Sequence, residues 1–256
     1  MVVGDETRFG RFHGASHLRA LLVVLRRVRG DLPRAEDSHL IERGVSGLER
    51  SASRRSEELR ASPAIFPSPL LDRLTRAHPA TPVVIFAPVI GVALGVSIDH
   101  MGLLGTIVAV LCGYAFWTLA EYWGHRAVFH FEPEDGFGAR LHWMIHGVHH
   151  DHPNDPRRLV LPPAFSIPLA ALFFGLFYVA LGNRLDWGFA AGFYAGYVLY
   201  DMVHYALHHY VPKHAFGKRM RELHMRHHFE DHERGFGVSA PYWDIVFGTR
   251  PRRAAR

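Results

Sequence analysis

Histidine is the outlier of this chain, at 20 of 256 residues. Ten of the twenty fall into four short clusters: His125 and His130 in EYWGHRAVFH, His146, His149 and His150 in HGVHH, His204 and His208 in HYALHH, and His224, His227 and His228 in HMRHH. Imidazole is a common metal ligand. On a helix, residues at i, i+3 and i+4 share one face, so each of the last three clusters can aim two or three imidazoles at one point. His125 and His130 are five apart and diverge by roughly 140° on a regular helix. They need a helix end between them, or they serve different metals. A first-row ion takes about four to six ligands, so ten imidazoles imply two ions with an open position on each. The solitary His13, His17, His39, His78, His100, His214 and His232 read as surface or hydrogen-bonded residues. His142, His152 and His209 stay outside the ligand set, although His142 precedes His146 by one turn and could orient it. The lone Cys112 excludes an intramolecular disulfide and a cysteine zinc site.

The elements that must position these clusters are apolar. Residues 83–98, 101–120, 159–182 and 187–200 carry no charged side chain. About 20 apolar residues cover a hydrocarbon core of ~30 Å. Asp99 and His100 separate the first two stretches. Asn183, Arg184 and Asp186 separate the last two, and Pro162, Pro163 and Pro168 mark an entry turn and a kink. The alternative, a buried helical bundle of a soluble protein, fits two repeated uncharged pairs poorly. The expected fold is all-α: an integral membrane protein of four transmembrane helices in two hairpins, with a cytoplasmic, histidine-rich helical cap. Arg and Lys number 14 in residues 1–80, 4 in 121–160 and 10 in 210–256, against Arg184 alone in the second turn. The positive-inside rule then puts both termini and all four histidine clusters on the cytoplasmic side. Residues 1–80 form an Arg-rich N-terminal region, with a candidate interfacial helix at Leu18–Val28 and a flexible linker over 43–62, and residues 81–256 form the membrane domain. No secretory signal is visible in the first 30 residues.

A pI near 9.6 raises the question of nucleic acid. The basic residues, 27 Arg and two Lys, flank apolar spans rather than lie among exposed aromatics, so no nucleic-acid partner is expected and attraction to anionic lipid headgroups explains the charge. Along the fourth span Tyr197, Asp201, His204 and His208 form one helical stripe. Asp201 is an ionisable group at membrane depth, where such residues are expensive and usually functional. It is expected to orient a ligand imidazole, with Tyr197 beside it, and Glu121 is placed to do the same one turn before His125. Phe173, Phe174, Phe177, Phe193 and Tyr194 either line an acyl path between the hairpins or pack on lipid and other helices.

The stretches EYWGHRAVFH, HGVHHDHPNDPRRLVLPP, GYVLYDMVHYALHH and LHMRHHF, followed by GFGVSAPYWDIVFGT, together resemble the fatty acid hydroxylase superfamily of integral-membrane, histidine-cluster oxygenases. They are most similar to its fatty acid 2-hydroxylase branch. The resemblance spans most of residues 121–249. It implies a monooxygenase with a dinuclear metal site, normally iron, that uses dioxygen to hydroxylate an acyl chain of a fatty acid or acyl lipid, at C2. Zinc can take the place of iron in purified protein, since imidazole suits both. Eukaryotic members often carry an N-terminal haem domain that supplies electrons. Residues 1–80 have no such setting, so a separate electron-transfer protein is expected. Two alternatives use the same residues: a desaturase or sterol-type oxidase with the same histidine cage, and a histidine-lined metal transporter. Transporters place their ligands near the bilayer midplane, whereas these histidines lie mostly beyond the spans and on one side.

Overall fold

Gly102 and Gly182 divide the two long apolar segments of this computed structural model, which describes residues 35–252 apart from 132 and 134. Their φ angles are +69° and +72°, values at which any residue with a Cβ is strained. Each breaks what is otherwise continuous helix: α3 (Thr81–Gly124) at Gly102, and α6 (Pro163–His209) at Gly182. At each the chain turns back. The Ser97 and Thr106 hydroxyls, nine residues apart, meet at 3.0 Å, whereas a straight helix would hold them ~13 Å apart. Phe174 and Trp187 stack edge to face at 4.9 Å between centroids across Gly182, and the Tyr194 hydroxyl donates to the Ala170 carbonyl. Both turns therefore fall at glycines, beside the charged residues expected to make them. The turns adjoin, since His100 Nδ1 lies 2.9 Å from the Asn183 carbonyl.

The arms 103–124 and 183–209 cross at very close range. A Cβ on Gly192 would stand 2.0 Å from the Val110 carbonyl oxygen, and one on Gly113 would stand 1.9 Å from that of Phe189. Small residues at such a crossing let two backbones approach, which is how helices associate where no hydrophobic driving force operates between them. Phe86, Phe177, Phe193, Tyr194 and Tyr197 fill the space between the hairpins. The candidate acyl-path aromatics are thus occupied in packing helix on helix. Outside this core, only 22% and 11% of the residues in the most apolar stretch of each long helix are buried. Leu104 and Val179 are about four-fifths exposed. A soluble bundle would hide these side chains, so the outer surface is built for an apolar solvent.

The other described elements are short. α2 (Pro69–Leu74) precedes the first hairpin. A π-helical turn (His125–Phe129) continues α3. Then come α4 (Gly136–His142), a second π-helical turn (Trp143–Gly147) and α5 (Val148–Asp151). α7 (Ala215–Phe229) and α8 (Tyr242–Val246) follow α6. There is no strand among the described residues. The compact unit holding all of these begins at Ala61, twenty residues before the first apolar stretch. Residues 61–78 are held by the turn before α6: the Ala77 N–H donates to the Arg157 carbonyl, and Arg158 reaches Asp72, Thr75 and the Pro63 carbonyl.

The first 60 residues form a separate unit. Its described part is one helix, α1 (Ala35–Arg60), so the expected flexible linker over 43–62 is helical as far as Arg60. Leu, Glu, Ala and Arg are strong helix formers and outweigh Gly44 and Gly47, and Ser53 pairs with Glu57 one turn on. The candidate interfacial helix at Leu18–Val28 lies outside the described residues.

A candidate pair of metal centres

The ten clustered imidazoles gather into two groups of five at one end of the hairpins. His125, His130, His146, His150 and His227 form one group, and His149, His204, His208, His224 and His228 the other; within each, the candidate ligand nitrogens all lie within 4.8 Å of one another. The groups touch through His150 and His228, whose rings stack at 4.3 Å.

The sequence clusters do not map one to one onto these groups. HGVHH and HMRHH were each expected to aim at a single point, and each is split. Consecutive helical residues point ~100° apart, so a His-His dipeptide faces both groups at once. His150 and His227 turn to the first group and His149 and His228 to the second. The i, i+4 pairs stay together: His146 with His150, His204 with His208, and His224 with His228. The five-residue gap between His125 and His130 is closed by the π-helical turn. Its extra residue lets the His130 N–H reach the His125 carbonyl at 3.0 Å, and both rings end in the same group. The choice between a helix end and two different metals is thereby decided for a single group.

The Nε2 atoms converge. His125 and His146 approach to 3.2 Å, His125 and His130 to 3.2 Å, and His146 and His150 to 3.0 Å. In the second group His149 and His204 stand 3.1 Å apart, and His208 and His224 2.8 Å. Neighbouring nitrogens bound ~2.1 Å from one ion at right angles would stand ~3 Å apart, which is this spacing. Tautomer points the same way. His125 Nδ1 donates to the Phe236 carbonyl at 2.8 Å and His227 Nδ1 to the Arg234 carbonyl at 2.7 Å, leaving the lone pair on Nε2. His227 Nε2 is buried without a hydrogen-bond partner, a state a coordinated cation would explain. Burial, reinforced by neighbouring imidazoles, lowers the pKa of His149 to about 3 and that of His130 to about 2. Burial likewise lowers His227 to about 4, against the upward pull of the Arg234 carbonyl. His146, His150, His224 and His228 are shifted downward by burial and by the surrounding imidazoles. Neutral imidazole is the form that binds metal, so the donor set fits two cations.

The segment after α7 fixes much of this geometry. Gly235, at φ +85°, turns the chain so that the carbonyls on either side of it, Arg234 and Phe236, face His227 and His125. Asp244, 2% exposed, ties the segment down by accepting from the Phe236 and Gly237 N–H groups, both at 2.9 Å, and from the Thr249 hydroxyl at 2.8 Å. The Thr249 hydroxyl also meets that of Tyr122 at 2.8 Å. Asp244 was missed as a site residue. A single carboxylate inside the apolar run PYWDIVF is the signal that could have found it.

The two carboxylates expected to orient imidazoles have other partners. Asp201, 1% exposed, accepts from the Leu161 N–H. The Nδ1 atoms of His204 and His208 have no hydrogen-bond partner, so neither ring is held by Asp201. Helical spacing put these residues on one stripe and brings Tyr197 to Asp201 one turn on, but the carboxylate's other partner is the neighbouring chain at Leu161 rather than an imidazole. The Tyr197 ring packs on Phe86 and Trp117. Glu121 accepts from the Ser239 N–H at 2.7 Å and from its hydroxyl, anchoring the same segment that Asp244 holds. His142 contacts the Phe129 carbonyl, and His232, expected to stand apart, stacks over His130 at 6.3 Å.

The model of the fatty acid hydroxylase family matches residues 110–249. The chain belongs to this family. Among curated relatives, a dihydroceramide fatty acyl 2-hydroxylase of Arabidopsis thaliana is 36% identical, over 68% of this chain and 71% of its own. A ceramide very long chain fatty acid hydroxylase of Saccharomyces cerevisiae is 38% identical, over 70% of this chain and 47% of its own. A rat fatty acid 2-hydroxylase is 40% identical, over 54% of this chain and 38% of its own. A solved structure described as full-length scs7p with only the hydroxylase domain visible superposes with a TM-score of 0.67 at 34% identity, covering 73% of this chain and 72% of that one. The protein is thus a lipid hydroxylase. The matched stretch contains all ten clustered histidines, and Glu121, Phe236 and Asp244 with them.

Proposed function

We propose that this hydroxylase is a membrane-embedded di-iron monooxygenase that hydroxylates C2 of the acyl chain of a fatty acid or acyl lipid. The observation that carries the reading is the pair of adjoining five-imidazole groups at one end of two apolar hairpins. The naming of the relatives as 2-hydroxylases supports the position of attack. Bound iron would supply the activation of dioxygen that no side chain can provide. One oxygen atom enters the C–H bond and the other leaves as water. Two electrons and two protons complete the balance, and a separate electron-transfer protein supplies the electrons. The chain's own part is to hold the ions on neutral imidazoles, orient those rings through the Arg234 and Phe236 carbonyls, and bring the acyl chain in from the bilayer.

The arms of α3 and α6 would cross as four spans, since each arm runs ~28–40 Å at 1.5 Å per residue, enough for a ~30 Å core. Both glycine turns then lie on the outer side, with Arg184. The histidine groups and termini lie in the cytoplasm with the other 28 basic residues. Ligands gathered at one end rather than at the midplane disfavour metal transport.

The test is turnover of the purified chain, loaded with iron and reduced chemically, on an acyl lipid under isotopically labelled dioxygen. The product should be the 2-hydroxy acyl lipid carrying one labelled oxygen. A new double bond, or oxygen drawn from water, would overturn the proposal.

A further inference from the structure

The two imidazole groups are supported unequally. In the first, His125 and His227 are oriented by backbone carbonyls. In the second, the Nδ1 atoms of His149, His204, His208, His224 and His228 are buried with no hydrogen-bond partner. Buried polar atoms in native proteins are nearly always satisfied, by protein or by ordered water. One of these five borders a cavity. His224, Val238, Met220 and Asp244 line a space of about 10 Å³, close to the room that one water molecule needs. His224 turns Nε2 toward His208, so Nδ1 is its only nitrogen free to serve that space.

Asp244 is the acceptor such a water requires. A carboxylate offers about four lone-pair sites: Oδ1 takes the Phe236 N–H and the Thr249 hydroxyl, and Oδ2 takes the Gly237 N–H, while the Gly235 N–H beside it is directed to the Thr249 carbonyl at 2.9 Å. Oδ2, with one close donor, has room to accept a second.

We infer that a single water in this cavity accepts the Nδ1–H of His224 and donates to Asp244. Asp244 is then a positioning residue for both groups: for the first through the segment that presents the Arg234 and Phe236 carbonyls, and for the second through the water on His224. One buried carboxylate thereby couples the geometry of two metal centres. Val238 is the residue whose enlargement would expel the water without touching the carboxylate.

The inference rests on the reading of the histidine groups as metal sites, and the experiment separates the two. The full chain, purified in detergent and loaded with zinc(II), is compared with Asp244→Asn and Val238→Ile by chelator competition and by a high-resolution map of the wild type. The wild type should bind two ions, with an ordered water within hydrogen-bond reach of His224 Nδ1 and the Asp244 carboxylate. Asp244→Asn should weaken both ions by ~10–100-fold, the loss typical of a group that orients a ligand. Val238→Ile should weaken one ion and leave the other within twofold. Melting of the metal-free proteins shows whether each variant folds; if Asp244→Asn does not, the map and Val238→Ile decide. A wild type that binds no zinc at the histidines overturns the metal reading as well. Two bound ions with no water in the cavity, or with affinities untouched by either folded variant, overturn this inference alone.

Discussion

Each clustered imidazole has a definite place, so single substitutions have definite consequences. His227 is the sharpest case: Nδ1 is held by the Arg234 carbonyl and the buried Nε2 faces the first group. His227→Ala should lower metal affinity at that group at least ~100-fold, since even loss of a ligand's supporting partner costs ~10–100-fold. Equilibrium dialysis measures this. His100, at the far turn on the Asn183 carbonyl, is the control, and its Ala variant should bind two ions like the wild type. Asp201 calls for a different expectation. Its partners are the Tyr197 side chain and the Leu161 N–H, and Asn keeps a carbonyl oxygen to accept the latter. Asp201→Asn should therefore be mild. Asp201→Ala leaves that buried N–H unpaired and should cost about 1–3 kcal/mol. Thermal melting in detergent checks both, and a large, metal-specific loss from Asn with an unchanged melt would restore a role at the imidazoles.

At the scale of elements, the helix crossing and the early clamp carry the architecture. Gly192 has no room for a Cβ beside the Val110 carbonyl, so Gly192→Leu should force the two arms apart and abolish recovery of monodisperse, metal-binding protein. Gly91, with nothing within 4 Å, should tolerate the same change. Gel filtration with metal analysis reads out both. The clamp on residues 61–78 has a pH signature. Burial opposes ionisation of Asp72, but the Ile65 N–H, Arg76 and Arg158 outweigh it and hold the carboxyl at about 2. A carboxyl held below its unfolded value of about 4 contributes stability above that value and loses it as pH falls through the folded one. The contribution should fade between about pH 4 and pH 2. Asp72→Asn should lose about 2 kcal/mol at neutral pH, as expected for hydrogen bonds to a charged group, and show a flatter melting profile across that window.

For the whole molecule, two measurements bear on the proposed reading. Cysteine labelling in a Cys112-free chain should modify position 183 only from the outer side and position 154 only from the cytoplasm. Labelling of 183 from the cytoplasm would reject four spans. Metal identity is separable from fold. Zinc(II) generally binds imidazole sites more tightly than iron(II) and has no redox chemistry. A zinc-loaded preparation should melt at least as high as the iron form and turn over no substrate, and full activity with zinc alone would remove oxygen activation from the mechanism.

Helical class, the two apolar segments and the ten histidines were legible in the sequence because they depend on local composition and periodicity. Uncharged runs mark apolar helices wherever they occur, and i, i+4 spacing keeps His146 with His150 or His204 with His208 in any packing. The assignment of each imidazole to its group was not local. It depends on how far consecutive residues diverge around a helix, on a π-helical turn at His125–Phe129, and on which helices stand opposite. The same holds for carboxylates. Asp201, Glu121 and Asp244 are all buried, and nothing in their own neighbourhoods says that the first meets Leu161, the second Ser239 and the third the backbone that steers His125. A carboxylate's partner is whichever donor the fold brings within ~3 Å, and across separations of eight to 118 residues only the tertiary structure decides that.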